Sequence, residues 1–189
     1  MRAMWQMWPG AVPEHLIQSI INEGNNYPIA NLGLGFDGTT QNTDYRQSDV
    51  RWINKTNESS RFISDVLWYY AQLANRNAFG FDIDFINDIQ YTTYRSDNNG
   101  KYDWHSDIFW GNPTEYDRKI SMVIQLTDPS EYDGGVFEID AQYQSPNPEE
   151  LKRKGTVLAF PSFLLHRVTP VTRGIRQSLV SWIEGPKFR

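Results

Sequence analysis

Two stretches of helical period confined to the first 80 residues, about eight short strand-like runs after them, and no internal repeat or linker predict one mainly β domain with N-terminal helices. The layout expected is a jelly-roll, a pair of facing sheets whose open end commonly houses a site.

The bulk numbers agree. At 189 residues the chain suits a single domain with a sizeable core, and 39% hydrophobic with 14% aromatic content is that of a folded protein. A net charge of -5 offers no basic surface for nucleic acid. No run of about 18 apolar residues provides a membrane span, and Met1 to Gly10 lacks the apolar region of a signal peptide. The expectation is a soluble, cytoplasmic protein with neither a nucleic-acid nor a membrane partner. The chain has no cysteine, which excludes disulfides, thiolate catalysis and Cys-based zinc or iron–sulfur sites. It has three histidines, His15, His105 and His166.

Pro13 to Gly24 reads as a short amphipathic helix, with Pro13 near its first turn, Leu16, Ile17, Ile20 and Ile21 on one face and Gly24 as its stop. Residues 25–48, rich in Gly, Asn, Thr and Asp, read as a long loop, which in a compact domain is more often functional or mobile than idle. Asp49 to Ile53 is a short strand. Asn57 is placed to cap a second helix over 58–77, with Phe62, Val66, Tyr69, Tyr70 and Leu73 on its buried side.

From Gly80 onward the pattern is β. Phe81 to Tyr94 alternates as a strand, and Asp97-Asn98-Asn99-Gly100 is a turn. Strands follow at Tyr102 to Phe109, Lys119 to Leu126, and, after the Asp133-Gly134-Gly135 turn, Val136 to Ile139. Residues 142–154 read as an exposed insertion. Gly155 to Phe160, Leu164 to Thr169 and Gln177 to Ile183 complete the set. The division expected is helical support and a substrate loop over 1–80, and a β core over 81–184.

His105 and Asp107 lie two apart, so on one strand both side chains would point the same way. With His166 from a separate strand they make a two-His, one-carboxylate set. Such a set covers one face of an octahedral ion and leaves other positions open, as non-haem Fe(II) oxygenases require. Alone, His105 reads equally as a strand histidine bonded to a nearby acid, and His15 as structural. Arg176, near the start of the last strand with Ser178 two places on, can grip a carboxylate in bidentate fashion.

The order His105-x-Asp107, His166, then Arg176-x-Ser178 resembles the Fe(II)- and 2-oxoglutarate-dependent oxygenases, specifically their prolyl-hydroxylase branch. The resemblance runs from about residue 44 to 184. Tyr94, Gly100 and Tyr102 ahead of His105 look like the approach to the first ligand in hypoxia-type prolyl hydroxylases. Arg118 matches an arginine those enzymes place near the substrate, His166-Arg167-Val168-Thr169-Pro170 matches the motif around the last ligand, and Trp182 follows Arg176 at the family spacing. Arg46 through Ile53 is similar to the substrate-loop segment ending in Trp52-Ile53. Leu126 through Gly135 and the Val-Thr-Arg-Gly segment are similar to bacterial PKHD-type hydroxylases. Gln125 stands where hypoxia-type enzymes carry a tyrosine and keeps an amide donor, whereas Val180 replaces a threonine and removes a hydroxyl.

The resemblance implies a double-stranded β-helix core. It implies Fe(II) held by His105, Asp107 and His166, and 2-oxoglutarate held by Arg176, Ser178 and Gln125 with Tyr94 and Trp182 nearby. It also implies O2 as oxidant, ascorbate as reductant, and a proline-containing peptide or protein as substrate near Tyr102, Arg118 and Trp52. Trp104, Phe109, Trp110 and Trp182 would supply a dry wall around the metal. Oxidation of another side chain, a free amino acid or a small molecule stays open, as does a non-oxygenase, cupin-like metal-binding module.

Overall fold

The computed structural model describes residues 3–30, 44–141 and 144–189. Its strands are β1 (Gln6–Trp8), β2 (Arg46–Gln47), β3 (Asp49–Ile53), β4 (Phe85–Arg95), β5 (Lys101–His105), β6 (Tyr116–Gln125), β7 (Tyr132–Gly134), β8 (Phe137–Ile139), β9 (Val157–Pro161), β10 (His166–Val168) and β11 (Val171–Pro186). The helices are α1 (Glu14–Asn25), α2 (Arg61–Ala74) and α3 (Pro148–Lys152). No helix among the described residues is long and apolar enough to cross a membrane.

The strands form two antiparallel sheets. The larger runs β1-β9-β6-β11-β4-β3, with β7 also paired to β11, and the smaller runs β2-β5-β10-β8. This is the double-stranded β-helix. Its larger sheet is covered on both faces, so β4, β6 and β11 read as nearly unbroken buried runs rather than as simple alternation.

Residue parity still sorts the two faces. Ile89 and Tyr91, Ile120 and Met122, and Leu179 and Ile183 pack outward against α1 and α2. Tyr94, Val123, Phe160 and Val168 pack between the sheets. Register then lines up the inner face: Ser178 opposes Thr92 and Gln125, Val180 opposes Gln90 and Val123, and Trp182 opposes Ser121. A one-residue slip would exchange the two faces and empty the site.

Both helices differ in detail from the sequence expectation. Gly24 does not stop α1, which continues to Asn25. It is buried, and a Cβ there would sit 2.6 Å from Cγ of Tyr91, so glycine is the residue that lets helix and sheet approach. α2 buries Ile63, Leu67, Ala71 and Ala74, not the Phe62, Val66, Tyr69, Tyr70 and Leu73 stripe. The small Ala71 and Ala74 bring the helix close to the sheet, and the bulky rings are left on its flank, Tyr69 being 58% exposed. Ile63 and Leu67, each fully buried, contribute about 1.5–3 kcal/mol apiece. Asn57 occupies the cap position of the preceding turn but gives no side-chain cap, and its amide donates to the Tyr27 hydroxyl instead.

Elsewhere the boundaries move. Asn25 belongs to α1 and Arg46–Gln47 to β2, while residues 31–43 of the expected loop lie outside the described residues. The expected insertion carries a short helix: Asn147 caps α3, whose Leu151 is buried, and residues 142–143 lie outside the described residues. β11 is longer than expected, and its first residues, Val171 to Gly174, pair with β7 through Gly134, where a Cβ would overlap the Pro170 carbonyl.

Candidate functional site

His105 and His166 face each other directly across β5 and β10. Asp107 is not on the strand with His105, because β5 ends at His105. The backbone N–H groups of Asp107 and Ile108 both donate to the Ser162 carbonyl, at 2.9 and 3.2 Å, and this bend returns the carboxylate to the histidines. Asp107 Oδ1 lies 3.7 Å from His105 Nε2, and Oδ2 lies 3.4 Å from His166 Nε2. All three ligand atoms fall within 4.8 Å of one another.

The proton positions follow from the neighbours. His105 Nδ1 is 2.7 Å from the Asp103 carbonyl, and His166 Nδ1 is 3.0 Å from the Leu164 carbonyl. A carbonyl can only accept, so each Nδ1 carries the hydrogen and each Nε2 presents a bare lone pair. Two lone pairs and a carboxylate therefore converge in a buried spot, an arrangement that fits a divalent cation. Burial, then His166, pushes His105 down to about 4. Burial opposes the charge on Asp107, but His166, His105 and the Ser121 hydrogen bond outweigh it and hold the carboxyl below its usual value. The Trp182 indole N–H also favours the ionised form, although it makes no hydrogen bond of ordinary geometry.

A cavity of about 190 Å³ opens from these residues toward Arg176. That is smaller than the roughly 300–1,000 Å³ of sites for drug-sized ligands, and it suits a compact acid. Arg176 is 1% exposed. Its Nη2 donates to Gln125 Oε1 at 3.0 Å, its Nη1 makes a long 3.5 Å contact with Ser178 Oγ, and the group lies 5.4 Å from the Tyr94 ring centre. Gln125 thus stands behind the guanidinium and does not line the cavity. Gly135 is required beside it, since a Cβ there would come 2.9 Å from Arg176 Cδ.

The dry wall is built differently from the sequence expectation. Trp104, Phe109 and Trp110 are 39%, 53% and 65% exposed and line none of the cavity. Trp182 does, together with Val123, Phe137, Phe160, Val168 and Val180. Strand position separates the two groups: the lining residues come from inner-face positions, whereas Trp104 precedes His105 on β5 and so points to the opposite face, and Phe109 and Trp110 follow the end of that strand.

At the mouth, Tyr102 stacks on His105 with ring centres 3.5 Å apart. Trp52 lies 6.2 Å from Trp182, and the Arg118 guanidinium covers Trp182 at 4.0 Å while facing Asp88 and Glu184 at 3.6 and 3.8 Å. All three line the same cavity as Tyr94, Ser178 and the metal-type triad. His15 is exposed and lies outside it.

Sequence reasoning missed Gln90 and Ser121, and placed Arg46 in the substrate-loop segment without singling it out. Arg46 and Gln90 line the cavity, while Ser121 donates to Asp107 from behind. The available signal was parity: Ser121, Val123 and Gln125 share one face of β6, as do Gln90, Thr92 and Tyr94 of β4.

Comparison with known proteins places this geometry. Residues 89–184, just over half of the chain, match the family model described as the 2OG-Fe(II) oxygenase superfamily. A PKHD-type hydroxylase of Synechococcus sp. (strain CC9311) is 41% identical over 90 residues, covering 48% of this chain and 39% of that protein. One from Teredinibacter turnerae is 36% identical over 99 residues, covering 50% and 42%. The matched segment thus spans about two-fifths of those relatives. A Pseudomonas putida prolyl-4-hydroxylase superposes with a TM-score of 0.71 at 18% identity, over 98% of this chain and 94% of the other. A Trichoplax adhaerens prolyl hydroxylase, solved with a peptide fragment of the hypoxia inducible factor oxygen degradation domain, superposes at 0.70 with 14% identity, over 95% and 83%. At these identities the structural likeness is one of fold.

Proposed function

Because the chain belongs to the 2OG-Fe(II) oxygenase superfamily, we propose that it is a dioxygenase that hydroxylates a prolyl residue of a peptide or protein and releases succinate and CO2 from 2-oxoglutarate. The observation that carries this reading is a shared cavity. One small buried space holds both the all-acceptor triad and Arg176, a buried guanidinium with no carboxylate partner among the described residues.

His105, Asp107 and His166 would hold Fe(II) on one face, with Nε2 and carboxylate oxygens as ligands. Fe(II) and 2-oxoglutarate, when bound, supply from O2 the oxidant that places one oxygen atom on a C–H bond. Arg176 would grip the far carboxylate of the cosubstrate, with the Ser178 hydroxyl beside it. Gln125 keeps the guanidinium aimed. The inward-facing Val, Phe and Trp side chains exclude water, which strengthens the Arg176 ion pair and protects the oxidant. Trp52, Tyr102 and Arg118 would receive the substrate at the mouth.

The hydroxylase reading draws support from the PKHD-type relatives, the prolyl assignment from the prolyl hydroxylase fold neighbours, and the peptide assignment from the Trichoplax complex. A cupin-like module without oxygenase activity leaves the buried Arg176 without a purpose. The test has two stages. Anaerobic addition of Fe(II) and 2-oxoglutarate is expected to give a weak visible charge-transfer band, and a colourless complex overturns the oxygenase reading. Mass spectrometry of a proline-containing peptide library, incubated with enzyme, Fe(II), 2-oxoglutarate, ascorbate and O2, is expected to show one added oxygen on proline. Addition on another residue overturns the prolyl assignment alone.

A further inference from the structure

Three guanidiniums line the cavity, and the roles above leave one of them idle. Arg118 faces two carboxylates, Asp88 and Glu184. Arg176 is held by Gln125 and Ser178. Arg46 donates through Nε to the Ser48 hydroxyl at 2.9 Å, and its guanidinium lies 4.3 Å from the Tyr102 ring centre. Its Nη2 is closed off from solvent and has no hydrogen-bond partner among the described residues. No described carboxylate forms an ion pair with it. A buried donor of this kind is uncommon in native proteins, and it is a feature of sites that await a ligand.

The charges of the site point the same way. Asp107 and a divalent cation together leave one positive charge, Arg176 adds another, and the dianion 2-oxoglutarate neutralises both. Arg118 is already balanced. Arg46, half-buried with Nη2 closed off from solvent, therefore remains without a carboxylate among the described residues even with metal and cosubstrate bound, and an enclosed charged donor favours an acceptor. Its location is close to the reacting centre, because the ring it covers is the one stacked on His105. An anion bound at Nη2 would belong to a molecule that enters the cavity.

Building on the oxygenase reading above, we propose that Arg46 binds a carboxylate of the primary substrate. The substrate class is then an acid: a residue oxidised next to its own free carboxylate, as at a peptide C-terminus or in a free amino acid. The other available carboxylate is the keto-acid end of 2-oxoglutarate, and the experiment separates the two.

The full chain is loaded anaerobically with Fe(II) and 2-oxoglutarate, and cosubstrate affinity is read from the visible band. Acetyl-Gly-Pro as free acid and as amide are then titrated by calorimetry. The wild type is expected to prefer the acid by about tenfold or more, the effect of one charge-assisted pair. In Arg46→Met that preference is expected to vanish with cosubstrate affinity unchanged, and Arg46→Lys is expected to keep part of it. Equal binding of acid and amide by the wild type overturns the proposal, as does an Arg46→Met protein that loses cosubstrate affinity and keeps the preference. Failure to form the band overturns the oxygenase reading itself, whereas a normal band without acid preference overturns this inference alone. Circular dichroism checks folding, and if Arg46→Met is misfolded, Arg46→Lys and the wild-type comparison decide.

Discussion

Ser121 Oγ donates a 2.6 Å hydrogen bond to Asp107 Oδ2, and it lies 3.0 Å from Ser162 Oγ. The carboxylate reaches the histidines from a bend rather than from a strand, so this bond and the Ser162 carbonyl are what hold it in place. Ser121→Ala is expected to lower Fe(II) affinity about 10–100-fold, the usual effect of removing a partner that orients a ligand. Anaerobic metal titration measures it. Unchanged affinity would show that the backbone bend alone positions Asp107.

Arg176 and Gln125 are separable by the same logic. Arg176→Ala removes the charge and is expected to raise KM for 2-oxoglutarate about 100-fold or more, since hydrogen bonds to charged groups contribute about 1.5–3 kcal/mol each. Gln125→Leu leaves the charge but frees Nη2, and a rise of only about tenfold is expected. Steady-state kinetics at varied 2-oxoglutarate distinguishes them.

Gly24→Ala tests how closely α1 is seated on the sheet. Alanine favours a helix over glycine by about 1 kcal/mol, yet the new Cβ would meet the Tyr91 ring at 2.6 Å. A net loss of about 1–3 kcal/mol is expected from overpacking. Denaturant unfolding gives the value. Cosubstrate affinity should be unchanged, because Tyr91 packs on the face turned away from the cavity.

Glu184 sets a pH dependence of stability. Burial raises its carboxyl above the usual value, with Arg118 and the Asn87 hydrogen bond acting against burial, Asp88 adding to it, and Lys55 lowering it slightly. As pH rises from about 4 toward neutrality, the unfolded chain releases this proton first, so the native state holds more protons and stability falls. Glu184→Gln lacks that step. The variant is therefore expected to gain on the wild type between about pH 4 and pH 7, as read from unfolding curves at the two values.

The triad and the Arg176-x-Ser178 pair were legible in the sequence because rare residue types carry them. With three histidines in the chain, two on predicted strands left few metal sets to consider. The fold class was legible for a similar reason, helical and strand periods being segregated along the chain. Neighbours that depend on packing were not legible. Ser121 sits within an apolar run, and strand parity assigns it to the inner face without pointing to Asp107 as its partner. The buried stripe of α2 was misplaced because Phe62, Tyr69 and Tyr70 outweigh Ala71 and Ala74 in any hydrophobic pattern, although close helix–sheet contact favours the smaller residues. Proximity in sequence points to Trp104, Phe109 and Trp110 at the metal, yet Trp104 alternates with His105 on β5 and so faces away from the site, while Phe109 and Trp110 lie beyond the end of that strand and are exposed.

The two halves of the site rest on foundations of unequal strength. Arg176, Ser178, Val180 and Trp182 lie on β11, a 16-residue strand bonded to β4 on one side and β6 on the other. His105 and His166 lie on a sheet whose strands have two to five residues. Regions with fewer hydrogen bonds and less apolar support open more readily than central strands. Amide hydrogen exchange is accordingly expected to be slowest across residues 176–183 and faster across 101–105 and 166–168. The acid-binding floor is thus expected to stay assembled while the smaller sheet, which carries both histidines, opens and closes locally.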